Sequence, residues 1–253
     1  MSDGTLDTRR YWESRLTAAP NLRGTGHRAF GLAYNQWLYQ AQVDCVDQLL
    51  ARQKIDLTNR RVLDVGSGTG FYIDYFIRQG ANPIIGSDIT EISTRYLQAK
   101  YPQHTFLTCD VSAQTLPLTG DFFMISCVSV LYHILQQAQF ETALKNLCQH
   151  LAPGGYLLLS DTFRQPILPS AGHACFRPLS VYAGILAQYQ LQIVEVMPLY
   201  YLLNRVFAPL LGPFVIDRLQ GGAWLYRFDH WLRKQHLDNG SGMKLLLARR
   251  EAV

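Results

Sequence analysis

The amino-acid sequence predicts an α/β fold, a parallel β-sheet covered by helices on both faces. Three observations carry this expectation. Five short apolar runs (Arg61–Val65, Pro83–Ser87, Thr105–Thr108, Phe122–Val128 and Tyr156–Ser160) alternate with helical stretches. Continuous apolar strands separated by helices fit a parallel sheet buried on both sides. The first run ends in a turn, Gly66-x-Gly68-x-Gly70, that leads into a helical pattern (Ile73, Phe76, Ile77). Acids stand at the ends of the second and third runs, the edge where open α/β sheets bind ligands.

The composition agrees. Of 253 residues, 48% are hydrophobic and 17% charged. A charged share below the usual quarter excludes disorder and implies a large core. The length suits a single domain, 1–253, with extensions. Lys and Arg number 23 against 19 Asp and Glu, a net +4. This mild excess speaks against a dedicated nucleic-acid protein, so no nucleic-acid partner is expected. The most apolar stretch, 199–216, is broken by Asn204, Arg205, Pro209, Gly212 and Pro213, so no transmembrane segment is expected. The N-terminus lacks the apolar core of a signal peptide. Five scattered cysteines, with no Cys-x-x-Cys, imply neither a disulfide framework nor a metal site. They read as core residues in a cytoplasmic protein, monomer or homodimer.

In chain order, residues 1–59 are expected to be an N-terminal helical lid. Leu38, Ala41, Cys45, Val46, Leu49 and Leu50 repeat there with a helical period. Residues 60–198 and 239–253 form the core of sheet and helices. Within it, 162–177 reads as a loop with Pro166, Pro169 and Gly172, and a helix follows near Pro178–Tyr189. Leu191–Met197 and Met243–Ala248 read as strands. The segment between them is far longer than the roughly 2–5 residues of a hairpin. Its aromatic composition predicts an inserted helical cap over the strand edge at 199–238. Tyr200, Phe214, Trp224 and Phe228 are its expected substrate-binding wall residues. Pro209, Gly212 and Pro213 would break it into two helices. Packing of these aromatics onto the sheet, or a dimer interface, are the alternatives.

The glycine turn lets a ligand approach bare backbone N–H groups. A dinucleotide fingerprint started at Gly66 would need its third glycine where Phe71 stands, which disfavours a nicotinamide dehydrogenase. Asp64 lies beneath the loop, where its carboxylate can accept loop N–H groups. Its charge suits a cationic ligand better than a pyrophosphate. Asp88, at the tip of the second strand, can accept both hydroxyls of a ribose. Asp110, at the tip of the third, can accept an adenine amino group.

Together, Val62-Leu-Asp-Val-Gly-Ser-Gly-Thr-Gly70, Asp88, Cys109-Asp110-Val111 and Leu151-Ala-Pro-Gly-Gly155 resemble the class I S-adenosylmethionine-dependent methyltransferases. The resemblance covers about 60–161 firmly and 190–250 loosely. It implies a Rossmann-like seven-stranded, mostly parallel sheet whose last strand is antiparallel. It implies S-adenosyl-L-methionine as cofactor, with S-adenosyl-L-homocysteine as product. Asp64, Gly66, Ser67, Gly68 and Gly70 would border the methionine part and Asp88 with Ile89 the ribose. Asp110 and Val111 would border the adenine, and Ser129, just after the fourth strand, would also contact the cofactor. An N-terminal segment often covers the cofactor in this class. Tyr11 and His27 are candidates for that lid, and Tyr34 for the acceptor side. Tyr11, Trp12 and Trp37 read equally well as helix core.

A sulfonium methyl is a good electrophile, so such an enzyme mainly aligns the nucleophile and excludes water. His133, just after the fourth strand, is the candidate catalytic residue. It reads as a general base, as a positioning group or as a structural histidine. His173 and His230 are further base candidates. His104, His150 and His236 read as solvated or capping groups. Amino-methylating enzymes of the class carry Asn/Asp-Pro-Pro-aromatic where Ser129–His133 stands here, and cytosine-carbon enzymes a Pro-Cys. Metal-dependent catechol-type enzymes carry an acid where Ser126 and Cys127 stand. The expected activity is methyl transfer to a hydroxyl or amine of a small, fairly apolar molecule, a specialised metabolite. A lipid or quinone acceptor, or a non-catalytic cofactor-binding protein, are the alternatives.

Overall fold

The computed structural model describes residues 7–164, 167–170, 173–205, 221–235, 237–240 and 242–252. Seven strands form one sheet: β1 Val62–Val65, β2 Ile84–Asp88, β3 Thr105–Thr108, β4 Phe122–Cys127, β5 Leu151–Asp161, β8 Leu191–Pro198 and β9 Lys244–Arg250. Their spatial order is β3-β2-β1-β4-β5-β9-β8, and β9 runs antiparallel to both neighbours. This is the expected Rossmann-like sheet. Order reverses between β1 and β4, so their carboxyl ends diverge and leave a crevice.

Side-chain alternation divides the core into two layers. Val62, Ile84, Met124, Leu158 and Leu247 face one side. There they meet α3 (Leu32–Gln53), α4 (Phe71–Arg78) and α5 (Glu91–Lys100). Leu63, Ile85, Ile125, Leu157 and Leu246 face the other side. They meet α6 (Gln137–Gln149) and α7 (Leu179–Gln188). The helical period at 38–50 is fulfilled, since Leu38, Ala41, Cys45, Val46, Leu49 and Leu50 are all buried. Cys45, Cys127, Cys148 and Cys175 are buried free thiols.

Two local features differ from the sequence expectation. Strand β5 already pairs at Leu151, and its partner register jumps from Phe122↔Leu151 to Met124↔Tyr156. The strand therefore starts earlier than the run at Tyr156, and the proline-glycine stretch 152–155 is a bulge within it. Within 162–177, β6 (Leu168–Ser170) and β7 (Ala174–Phe176) form a small antiparallel ribbon. Three-residue strands are too short to leave a period in the sequence.

Before the sheet come α1 (Thr8–Ala18) and the short α2 (Leu22–Thr25). Asp7 caps α1 by accepting from the Arg10 N–H, and Asn21 caps α2 through Arg23 N–H. Of the inserted segment, 199–205 and α8 (Gly221–Lys234) are described. Phe214 and the predicted break at Pro209, Gly212 and Pro213 lie outside the described residues, as does His236. Helix α8 lies on α3. A Cβ at Gly222 would meet Trp37 Cδ1 at 2.9 Å and Tyr34 Cδ2 at 3.0 Å, so only glycine allows this approach. The fully buried Asp229 accepts from the N–H groups of Tyr201 (2.8 Å), Leu202 (2.8 Å) and Leu203 (3.1 Å). These bonds fix the rotation of α8 and turn Trp224, Phe228 and Trp231 outward, at 67%, 45% and 53% exposure. Among the described residues no helix is long and apolar enough to cross a membrane.

Asp229→Ala would leave three buried N–H groups without a charged acceptor, at about 1–3 kcal/mol for each unmet donor. We expect a loss of at least 3 kcal/mol of stability, a fall of roughly 6–12 °C in Tm at 2–4 °C per kcal/mol, with Asp229→Asn falling in between. Scanning calorimetry of the three proteins checks this.

Candidate functional site

The loop after β1 is built on two acceptors from β2. Gly66 and Ser67 donate to the Ser87 carbonyl at 2.7 and 3.0 Å. Gly68 donates to Asp88 Oδ2 at 2.9 Å. Asp88 Oδ1 accepts from the N–H and hydroxyl of Thr90 at 2.9 and 2.7 Å. The carboxylate that holds the loop is therefore Asp88 and not Asp64, because the loop curls over the tip of the neighbouring strand. Gly66 and Gly68 adopt φ of +75° and +51°, a region costly for residues with a Cβ. A Cβ at Gly66 would collide with Val130 Cγ2, and one at Gly68 would meet Thr25 Cγ2 at 2.7 Å. The loop floor thus leaves bare backbone facing a groove.

That groove is bordered by Gly66, Gly68, Asp88, Ile89, Asp110, Val111 and Ser129, and roofed by Trp12 and Leu16 of α1. An extension runs along the loop past Ser67, Phe71 and Tyr72. Asp64 and Gly70 do not border these spaces and lie behind the loop. Asp64 is almost wholly buried. Burial, with a smaller push from Asp88, raises its carboxyl to about 7, against the pull of the Ser126 and Ser67 hydroxyls. Burial also raises Asp88, opposed by the hydrogen bonds from Thr90 and Gly68. Asp110 Oδ1 accepts from the N–H and hydroxyl of Ser112 at 2.8 and 2.7 Å.

A second cavity adjoins the groove. The two share Trp12, Thr25, Tyr39, Ser129 and His133. Tyr11, His27 and Tyr200 line the second cavity, with Arg15, Gln42, Tyr132, His173 and Phe176. Tyr11 and His27, expected beside the cofactor, thus stand on the other side of the shared wall. Tyr34 belongs to neither space. It is 1% exposed, stacks on Phe30 at 4.0 Å and donates to the Leu203 carbonyl at 2.8 Å. Trp224 and Phe228, on the outer face of α8, also line neither.

His133 ends a short 3-10 turn, Leu131–His133. Its Nδ1 lies 2.8 Å from the His173 carbonyl. A carbonyl only accepts, so Nδ1 carries the proton and Nε2 keeps its lone pair. Trp12 meets the ring edge-on at 5.0 Å and His173 stacks at 5.9 Å. Burial, the largest influence, lowers His133 to about 4. Arg177, fully buried, braces this turn. It donates to the carbonyls of Ile134 (2.8 Å), Leu135 (3.3 Å) and Cys175 (3.0 Å) while lying over the Phe140 ring at 4.0 Å. Just before the turn, Ser129 holds a left-handed φ of +62° and donates its N–H to Ser160 Oγ at 2.7 Å. Such strain persists where surrounding contacts enforce it. His230 lies on α8, 3.7 Å from Asp44, away from both cavities.

Sequence reasoning missed Arg15, Thr25, Tyr39, Gln42 and Tyr132. Trp12, Arg15 and Leu16 share one helical face at i, i+3 and i+4, which was a readable signal. Tyr39 and Gln42 sit on the same α3 that supplies core residues, and only the docking of α3 separates the two roles.

A family model described as a methyltransferase domain matches residues 37–196, more than half of the chain. The chain therefore belongs to the class I S-adenosylmethionine-dependent methyltransferase family. The magnesium protoporphyrin IX methyltransferase of Synechocystis PCC 6803, solved with bound SAM, shares its fold. The TM-score is 0.61 at 17% identity over 99% of this chain and 100% of that one. The tRNA U34 carboxymethyltransferase of Pseudoalteromonas atlantica is 32% identical over 106 residues, 41% of this chain and 32% of the relative. The ubiquinone biosynthesis O-methyltransferase of Dechloromonas aromatica is 28% identical over 129 residues, 49% of this chain and 52% of the relative. The chain spans about a third to a half of the length of these curated relatives.

The groove fits the family's cofactor, S-adenosylmethionine: its bare loop floor offers backbone and its rim carries Asp88 and Asp110. Asp88→Ala would remove a charged acceptor as well as the Gly68 anchor. Charged hydrogen bonds are worth about 1.5–3 kcal/mol, so calorimetry should find S-adenosylhomocysteine bound at least tenfold more weakly. A second expectation concerns charge. Below about pH 7 Asp64 holds its proton, and above it the group is a carboxylate. A sulfonium gains from that carboxylate and a neutral thioether does not. The affinity of S-adenosylmethionine relative to S-adenosylhomocysteine should rise from pH 6 to 8, and the rise should vanish in Asp64→Asn.

Proposed function

We propose that the protein transfers the methyl group of S-adenosylmethionine to an oxygen of a small conjugated molecule, a specialised metabolite. The observation that carries this reading is the second cavity. It adjoins the cofactor groove, with which it shares Trp12, Thr25, Tyr39, Ser129 and His133, and lies under the N-terminal helices. Trp12, Tyr132 and Phe176 give it aromatic walls, the usual lining of small-molecule pockets. The partial likeness to an enzyme named as a ubiquinone biosynthesis O-methyltransferase supports oxygen as the acceptor atom. We infer a small molecule rather than a nucleic acid because the acceptor space is a recess between packed elements.

The cofactor, when bound, supplies an electrophilic sulfonium methyl. The chain's own part is to hold the acceptor in line and to keep water out. Asp88, Asp110 and the loop backbone fix the cofactor end. Trp12 and Leu16 cover the groove. His133 stands at the junction of the two spaces with Nε2 unprotonated. A group near 4 is a weak base at neutral pH, since catalysis of proton transfer is best near the working pH. His133 therefore acts as a positioning acceptor for the acceptor's hydroxyl, whose proton leaves to bulk water as the methyl is transferred and the sulfonium becomes a neutral thioether.

His133→Ala should lower kcat by roughly 2- to 13-fold, the loss of one positioning hydrogen bond worth about 0.5–1.5 kcal/mol. Cofactor affinity should change little, and His133→Gln, which keeps an acceptor, should recover part of the rate. Wild-type kcat should show no limb with a midpoint near 6.5. Such a limb, lost in His133→Gln, would make His133 a titrating base instead. Labelled methyl transfer from S-adenosylmethionine, offered to small phenols and to bulk tRNA side by side, tests the acceptor class. Labelling of the tRNA alone would overturn the small-molecule reading.

A further inference from the structure

Resting on the methyltransferase reading above, we propose that the acceptor bears a carboxylate on an aromatic or conjugated skeleton and that Arg15 holds that carboxylate in the second cavity. The starting observation is a charge imbalance. The cavity wall carries Arg15 and Arg28, and no Asp or Glu among its described residues. Neither arginine has a carboxylate partner within 4.0 Å among the described residues. Arg28 is exposed and water can serve it, whereas Arg15 is half-buried.

The guanidinium of Arg15 is held in place by neutral groups only. Nη2 donates to the carbonyls of Gly26 (2.7 Å) and Arg23 (3.1 Å), and Nη1 to the Tyr11 hydroxyl (3.4 Å). The cation also lies 5.0 Å from the Trp12 ring centre and 5.8 Å from that of Tyr11. These contacts use both Nη2 hydrogens and one on Nη1. They leave the Nε hydrogen and the second Nη1 hydrogen without a partner among the described residues. They also fix the group's direction without neutralising it. A partly desolvated, pre-oriented cation with unused donors is a recognition element for an anion.

The walls around Arg15 define the rest of the ligand. Trp12, Tyr132 and Phe176 present flat faces, which match an aryl or polyene skeleton. The weak basicity of His133 agrees with this chemistry. A site that binds anions has no need of a second positive charge, and the neighbouring arginine contributes to keeping His133 neutral.

The test uses the wild-type protein saturated with S-adenosylhomocysteine. Calorimetry or ligand-observed NMR measures binding of benzoate, 2-naphthoate and 4-hydroxycinnamate, each beside its primary amide. We expect at least one acid to bind at least fivefold tighter than its amide, with the preference lost in Arg15→Gln and partly kept in Arg15→Lys. Equal or tighter binding of the amides, no binding of any acid, or a preference that survives in a folded Arg15→Gln would overturn the proposal. Should Arg15→Gln fail to fold, the acid–amide comparison in wild type and Arg15→Lys decides alone. Affinity for S-adenosylhomocysteine is measured first. Its absence would sink the methyltransferase reading, while its presence with no acid preference would sink only the assignment of Arg15.

Discussion

The tip of β2 supports the rest of the site. Its last two residues accept three successive loop donors, Gly66 and Ser67 on the Ser87 carbonyl and Gly68 on the Asp88 carboxylate. A glycine loop has little of its own to fix its shape, since the residues that let it turn also leave it free in the unfolded chain. The neighbouring strand provides the missing constraint. Asp88 is itself locked by Thr90, and Ser93 from the next helix takes the Gly68 carbonyl at 2.6 Å. One carboxylate thus shapes the loop floor and borders the groove. Asp64 does not hold the loop but lies buried behind it, where desolvation governs its protonation.

A second level of organisation comes from the N-terminal helices. They close the crevice from outside the sheet, and their contacts are largely polar and aromatic. Arg15 ties α1 to the carbonyls at Arg23 and Gly26, and Asn35 of α3 accepts from the His27 N–H at 2.7 Å. Tyr39 donates to Thr25 at 2.8 Å. These bonds pack the N-terminal helices against the groove and the second cavity beside it. The wall that the two share contains Ser129 and His133, which the backbone after β4 delivers through a strained residue and a tight turn.

Helix α8 illustrates how side-chain chemistry can mislead about location. Its buried face carries Asp229 and Arg233, and its exposed face Trp224, Phe228 and Trp231. Burial of the acid is offset because three backbone donors converge on it. The space beside α3 is then taken by Gly222, Tyr226 and the α3 aromatics, which leaves the tryptophans outside.

The chain's local pattern determined the sheet, the glycine loop, the three acids at or beneath strand tips and the position of His133. Each depends on interactions within a few residues or on a period of two or 3.6, and such signals survive in one dimension. The short ribbon at 168–176 and the bulge in β5 escaped because they are too brief to carry a period. Which of Tyr11, His27 and Tyr34 line a cavity was decided only by the docking of the helices. All three are aromatic and helical or near-helical, yet the packing of α1 to α3 sends two to a cavity and one to the core. The protonation of Asp64 and His133 was likewise settled in three dimensions, because desolvation depends on what surrounds a group in space and not on its neighbours in sequence.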